Sequence, residues 1–174
     1  MNALENLYSR KSVRSYTGEA ISDAELNEIL KAAYAAPVGR AMYNTLQLTV
    51  ISNKEYLARV EAHMACAVGN PNLHPFYGAP TVILVSSAGP VGNVNYSNAA
   101  IVVHNMALAA TELGVGCCHI WGAVGMLSGN AELVRELNLP EGMVPCCAIA
   151  LGHTNETYAV REIPENRIKT EYLK

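Results

Sequence analysis

Residues 79–89, APTVILVSSAG, form an apolar run rich in β-branched side chains, bounded by Pro80 and Gly89. A continuous run of this kind predicts a strand buried on both faces, which belongs at the centre of a sheet. The neighbouring stretches have other periods. Upstream, KEYLARVEAHMACA (54–67) repeats apolar residues at helical intervals, and LQLTVISN (46–53) before it is strand-like. Downstream, NYSNAAIVVHNMALAATEL (95–113) is alanine-rich, apolar on most faces and stopped by Gly114, the pattern of a long buried helix. A helix this apolar needs cover all round. Farther out, SDAELNEILKAAYAAP (22–37) opens on Ser22 with Glu25 three residues later, a capping-box pair, and Pro37 stops it. VGCCHIW (115–121) reads as strand or loop, NAELVRELNLP (130–140) as helix and MVPCCAIALGH (143–153) as strand, ahead of a polar tail without clear periodicity. Alternating helices and strands place the chain in the α/β or α+β class.

The 174 residues fit one domain, 1–174, long enough to bury a substantial core. With 51% apolar and only 16% charged residues, the surface is poor in charge, which suggests that a partner chain covers part of it. A formal charge of −3 argues against a nucleic-acid surface, because phosphate-backbone binding needs an extended basic stripe. No apolar run reaches membrane-spanning length and the N-terminus lacks a signal-peptide core, so a membrane is not expected. Cysteines 66, 117, 118, 146 and 147 show no CxxC spacing and mostly sit in apolar runs, where free cysteine behaves as a small hydrophobe. A reducing cytoplasm suits them. Histidines 63, 74, 104, 119 and 153 lack metal-ligand spacing, so no metal is expected. GxGxxG, P-loop, GxSxG and HExxH motifs are absent.

What remains is RKSVRSYTG (10–18). If it runs extended, Arg10, Ser12 and Arg14 share one face and Lys11 and Val13 the other. Two guanidiniums and a hydroxyl on one face suit a phosphorylated ligand. By themselves the nine residues also read as a solvated basic turn before a helix.

The stretch from Arg10 to Gly39, then FYGAPTVILV, NAAIVVHNMALAATELGVG, HIWG and AIALGH, follow in the order of the FMN-dependent nitroreductase family, which the chain resembles from about Leu4 to Tyr172. The resemblance implies an α+β fold with a central, mostly antiparallel sheet flanked by helices, in a homodimer whose two chains share each flavin site. It implies FMN as cofactor, NADH or NADPH as electron donor through flavin N5, and a small-molecule acceptor such as a nitroaromatic or quinone. Carried over by position, Arg10 and Ser12 hold the phosphate and ribityl region with Lys11 nearby, and Arg14 approaches the pyrimidine edge. Pro37, Val38 and Gly39 match the turn that meets the ring system. Ile120, Trp121 and Gly122 match the segment whose backbone lies against the flavin. Arg161 is the late phosphate contact, with Arg167 its competitor. No side chain is required as a general acid or base.

The family often continues past its AP turn as Asn-x-Gln-Pro-Trp, whereas this chain has Met42, Asn44, Thr45 and Leu46 in that region. Trp121 stands where some members carry an acidic residue, and reads as an aromatic wall or interface anchor. The short chain implies a trimmed lid. Met106, within the apolar helix, is a candidate for the seam between two chains. A flavin-binding or flavin-sequestering module with little turnover is the alternative reading, and an enzyme of the same family with a specialised substrate is a third.

Overall fold

A computed structural model describes residues 1–89 and 92–174. In chain order its first half comprises α1 (Ala3–Ser9), α2 (Asp23–Tyr34), two short 3-10 turns (Gly39–Ala41 and Tyr43–Thr45), β1 (Leu46–Ile51) and α3 (Lys54–Val68). The second half comprises β2 (Thr81–Ala88), α4 (Asn93–Glu112), β3 (Gly116–Ile120), α5 (Gly122–Leu127), α6 (Ala131–Glu136) and β4 (Met143–Gly152). The strands form one sheet in the order β1-β2-β4-β3, with every pairing among the described residues antiparallel. The class is therefore α+β.

The apolar run is β2, one of the two inner strands. Alternation divides it between two cores: Ile83 and Val85 pack with α2 and α4, whereas Val82 and Leu84 pack with α3 and α5. Each of these four side chains is no more than 2% exposed, and full burial of such a side chain stabilises by about 1.5–3 kcal/mol. Cys117 and Cys118 split in the same way, whereas Cys146 and Cys147 share the α4 side. The register explains the difference. Val85 pairs with Cys147 and Ser86 with Pro145, so Cys146 is the extra residue of a bulge. Burial pushes the Cys147 thiol up to about 12 and raises Cys117 and Cys118 as well, which leaves them protonated packing groups.

The capping box of α2 forms as read: the Ser22 hydroxyl accepts from Glu25 N–H at 3.3 Å and the Glu25 carboxylate accepts from Ser22 N–H at 2.7 Å. At the N-terminus, Asn2 and Glu5 carry the equivalent signal and cap α1 in the same manner, although its seven residues show no helical periodicity. The Asn6 side chain then donates to the Leu108 carbonyl at 3.1 Å and docks α1 on α4. Most of the cover for α4 comes from its own chain. Met106 is fully buried there, so it cannot serve as a seam residue; Val94, Tyr96 and Ile101 are the large apolar side chains that α4 exposes.

Candidate functional site

Residues 10–17 run outside any helix or strand along the free edge of β3. Val13 N–H donates to the Cys117 carbonyl at 2.8 Å and Thr17 N–H to the His153 carbonyl at 2.9 Å. The Tyr16 hydroxyl adds bonds to the carbonyls of Val13 and Ala150, at 3.1 and 3.3 Å. Two glycines let the segment come this close. Gly116 and Gly152 are register partners, and a Cβ on Gly116 would lie 2.9 Å from the Gly152 carbonyl oxygen and 3.1 Å from Val13. A Cβ on Gly152 would lie 2.6 Å from the Pro80 ring.

Val13 is the buried peg of this segment, with Arg14 exposed and Arg10 and Ser12 half-buried. The Arg14 guanidinium donates to the Ser12 carbonyl at 3.5 Å, and Arg14, Ser12 and Arg10 each oppose the upward effect of burial on the Cys118 thiol. Lys11 turns elsewhere, into a 2.8 Å ion pair with Glu156 whose carboxyl it holds below the ordinary range. Among the described residues neither Arg10 nor Arg14 has a carboxylate within ion-pair distance. Two guanidiniums are thus left without a direct ion-pair partner, and Glu156, bound by Lys11, acts on Arg14 only from a distance. Arg161 stands beside them but spends its guanidinium on main chain, donating from Nε to Tyr8 O at 3.0 Å and from Nη2 to Arg10 O at 2.5 Å. No hydrogen bond or ion pair among the described residues brings Arg167 to the cluster.

A cleft of about 340 Å³ opens next to the segment, lined among others by Tyr77, His119, Ile120, Trp121 and Gly122. Ile120 is buried, whereas Trp121 is 47% exposed at the mouth. A Cβ added at Gly122 would meet nothing in this chain, so its backbone faces open space. Tyr77 reaches back to the basic cluster, with the Arg14 guanidinium carbon 5.6 Å from its ring centroid. His119 and His104 lie with ring centroids 5.8 Å apart. Burial, then the charge of Arg10 and the neighbouring His104, depress His119 to about 4; burial and Arg10 also lower His104. Both rings are therefore neutral at pH 7. Sequence reading missed Tyr77 and these histidines, because isolated residues without spacing carry no signal of where they meet.

The turn at 37–39 lies elsewhere. Val38 is buried and anchors it in the core, while Pro37 and Gly39 remain exposed. Gly39 N–H donates to Asn98 Oδ1 on α4 at 3.0 Å. The turn borders a second cleft, of about 470 Å³, lined by Gly39, Arg40, Met42, Thr45, Asn95 and Asn98 among others. Met42 and Thr45 thus do reach a cleft despite their departure from the expected pattern. The two clefts share no residue. One chain divides the expected residue set into two groups.

The donor set at the first group fits a phosphorylated, planar ligand: charged forks and a hydroxyl for phosphate, beside an aromatic-walled cleft with open backbone at Gly122. The chain is thus an α+β protein with an antiparallel sheet whose free edge carries a basic segment beside an aromatic-walled cleft. The model of the Nitroreductase family matches residues 7–153, and the chain belongs to the nitroreductase family. It is 28% identical, over 172 residues, to a protein of Methanothermobacter thermautotrophicus provisionally named an NADH dehydrogenase/NAD(P)H nitroreductase, covering 94% of this chain and 83% of that one. It is 28% identical over 189 residues to an FMN reductase (NAD(P)H) of Bacillus subtilis, covering 95% of this chain and 71% of that protein. A nitroreductase structure with bound FMN from Desulfitobacterium hafniense superposes with a TM-score of 0.85 at 26% identity, covering 99% of this chain and all of that one.

Proposed function

We propose that this single domain is an FMN-dependent oxidoreductase that draws electrons from NADH or NADPH and delivers them to a small acceptor such as a nitroaromatic or quinone. The observation that carries the reading is the pair of guanidiniums, Arg10 and Arg14, that flank Ser12 on one edge segment and have no carboxylate within ion-pair distance among the described residues. When bound, FMN supplies a ring that takes up hydride and gives electrons up again. The chain supplies the rest. Arg10 and Ser12 hold the phosphate, where charge-assisted hydrogen bonds are strongest. Arg14 stabilises the negative charge that reduction brings to the pyrimidine edge. Gly122 and Trp121 offer open backbone and an aromatic wall to the ring. Arg161 braces the carbonyls of Tyr8 and Arg10, and so fixes the strand from which the phosphate is held.

The second group, Pro37 to Gly39, is assigned to the flavin site of a second copy of the chain. Two observations support a homodimer: the two clefts share no residue, and α1 and α4 together expose Leu4, Leu7, Tyr8, Val94 and Ile101. All five cysteines are unpaired, which suits a reducing cytoplasm. Among the described residues no helix is long and apolar enough to cross a membrane.

The test is the visible spectrum of the purified protein with and without NADH or NADPH. A yellow protein bleached by either nicotinamide is expected. A yellow protein inert to both would make it a flavin-binding module, and a colourless one that takes up no FMN would overturn the assignment.

A further inference from the structure

Tyr77 sits in a turn that does not favour it. Phe76 is anchored in the α3-side core and Ala79 is buried just before β2, so the chain must reverse between them within two residues. It does so with an Ala79 N–H to Phe76 carbonyl bond of 3.0 Å and positive φ at both central residues, 56° at Tyr77 and 75° at Gly78. That is the arrangement of a type I′ turn, whose central positions favour Gly, Asn and Asp because a larger side chain is strained at positive φ. Gly78 meets the demand and Tyr77 violates it. The turn is firmly held all the same: Phe76 N–H donates to Glu61 Oε1 at 3.1 Å and Tyr77 N–H to the His74 carbonyl at 2.9 Å. A bulky aromatic kept in such a position is a mark of a functional constraint.

What the ring touches supplies the constraint. Its centroid is 5.6 Å from the Arg14 guanidinium carbon, within the range of a cation–π contact. The Tyr77 hydroxyl also lies near enough to be the largest influence raising the Arg14 pKa, and the guanidinium makes a long 3.5 Å bond to the Ser12 carbonyl. The same tyrosine lines the cleft with Trp121 and Gly122. The geometry points to Tyr77 as a positioning residue that holds Arg14 at the cleft for the charge developing on the reduced cofactor, a role that rests on the flavin reading above. A free arginine side chain samples many rotamers, and each lost restraint dilutes the population that faces the ring.

The experiment compares FMN-loaded parent protein, Tyr77→Asn, Tyr77→Phe, Arg14→Gln and the Tyr77→Asn/Arg14→Gln double variant by potentiometric titration. Thermal unfolding of the same proteins without FMN runs in parallel. Asn tolerates positive φ, so Tyr77→Asn removes the ring but keeps the turn. Its Tm should be no lower than the parent's. Its potential should move in the negative direction by at least half of the shift that Arg14→Gln causes. The double variant should move no farther than Arg14→Gln alone, and Tyr77→Phe, which keeps the ring but loses the hydroxyl, should shift less than Tyr77→Asn. A Tyr77→Asn potential equal to the parent's, beside a shifted Arg14→Gln, overturns the positioning role and leaves the flavin reading intact. Additive shifts in the double variant also overturn it, because the two residues would then act independently. An Arg14→Gln potential equal to the parent's removes Arg14 from the flavin edge and the role of Tyr77 with it.

Discussion

Single residues decide what the basic segment recognises. Arg10 has no carboxylate partner among the described residues, and a hydrogen bond to a charged group contributes about 1.5–3 kcal/mol. Arg10→Ala should therefore weaken FMN by that amount while riboflavin, which lacks the phosphate, loses much less; fluorescence titration with both ligands measures the difference. Equal losses would place Arg10 away from the phosphate. His119 sets a pH dependence of stability. Its pKa is depressed to about 4 from an ordinary 6.5, so the unfolded chain takes up a proton before the folded one. The contribution is complete above pH 6.5 and is lost as pH falls toward 4. Glu25 and Glu156, held low by Ser22 and Lys11 respectively, lose theirs only as the pH drops below 4.5. Urea unfolding at pH 7 and pH 5 should show a stability loss that His119→Asn reduces, and an undiminished loss would assign it to other groups.

At the scale of elements, the contact between the basic segment and the sheet depends on Gly116 and Gly152. A methyl on Gly152 would meet Pro80 at 2.6 Å and the Tyr16 ring at 3.0 Å, both parts of stiff rings. Overpacking of this kind costs about 1–3 kcal/mol. Gly152→Ala should lower Tm and, by displacing the segment from β3, weaken FMN binding as well; a drop in Tm with unchanged FMN affinity would show that the segment holds its place without this contact. The helix α4 illustrates how an apolar pattern misleads. Its low contrast between faces reads as a need for outside cover, yet α2 and the sheet bury Met106 completely. The seven-residue helix α1, about two turns long, has little periodicity to show even with a capping pair at its start.

For the whole molecule, the division of the expected flavin residues between two clefts makes assembly the central question. An obligate interface of the hydrophobic kind buries well above about 2,000 Å². Sedimentation at falling concentration, with flavin absorbance recorded, should find dimer and FMN lost together; a folded monomer that keeps FMN would sink the shared site. Ile101→Glu tests the seam, since Ile101 is 38% exposed in one chain and a charge there is harmless to a monomer but unpaired in a dimer. Circular dichroism should stay unchanged while the sedimentation coefficient falls. The order of elements, the central place of residues 81–88, the capping of α2 and the family were legible in the sequence, because local periodicity, capping chemistry and motif order are written in adjacent residues. The antiparallel order β1-β2-β4-β3, the inward turn of Met106 and the diversion of Lys11 to Glu156 were not. Nor was the meeting of Tyr77 with Arg14, 63 positions away in the chain. Those depend on which distant segments are packed together, and only tertiary structure decides whether a charge finds a partner or is left for a ligand.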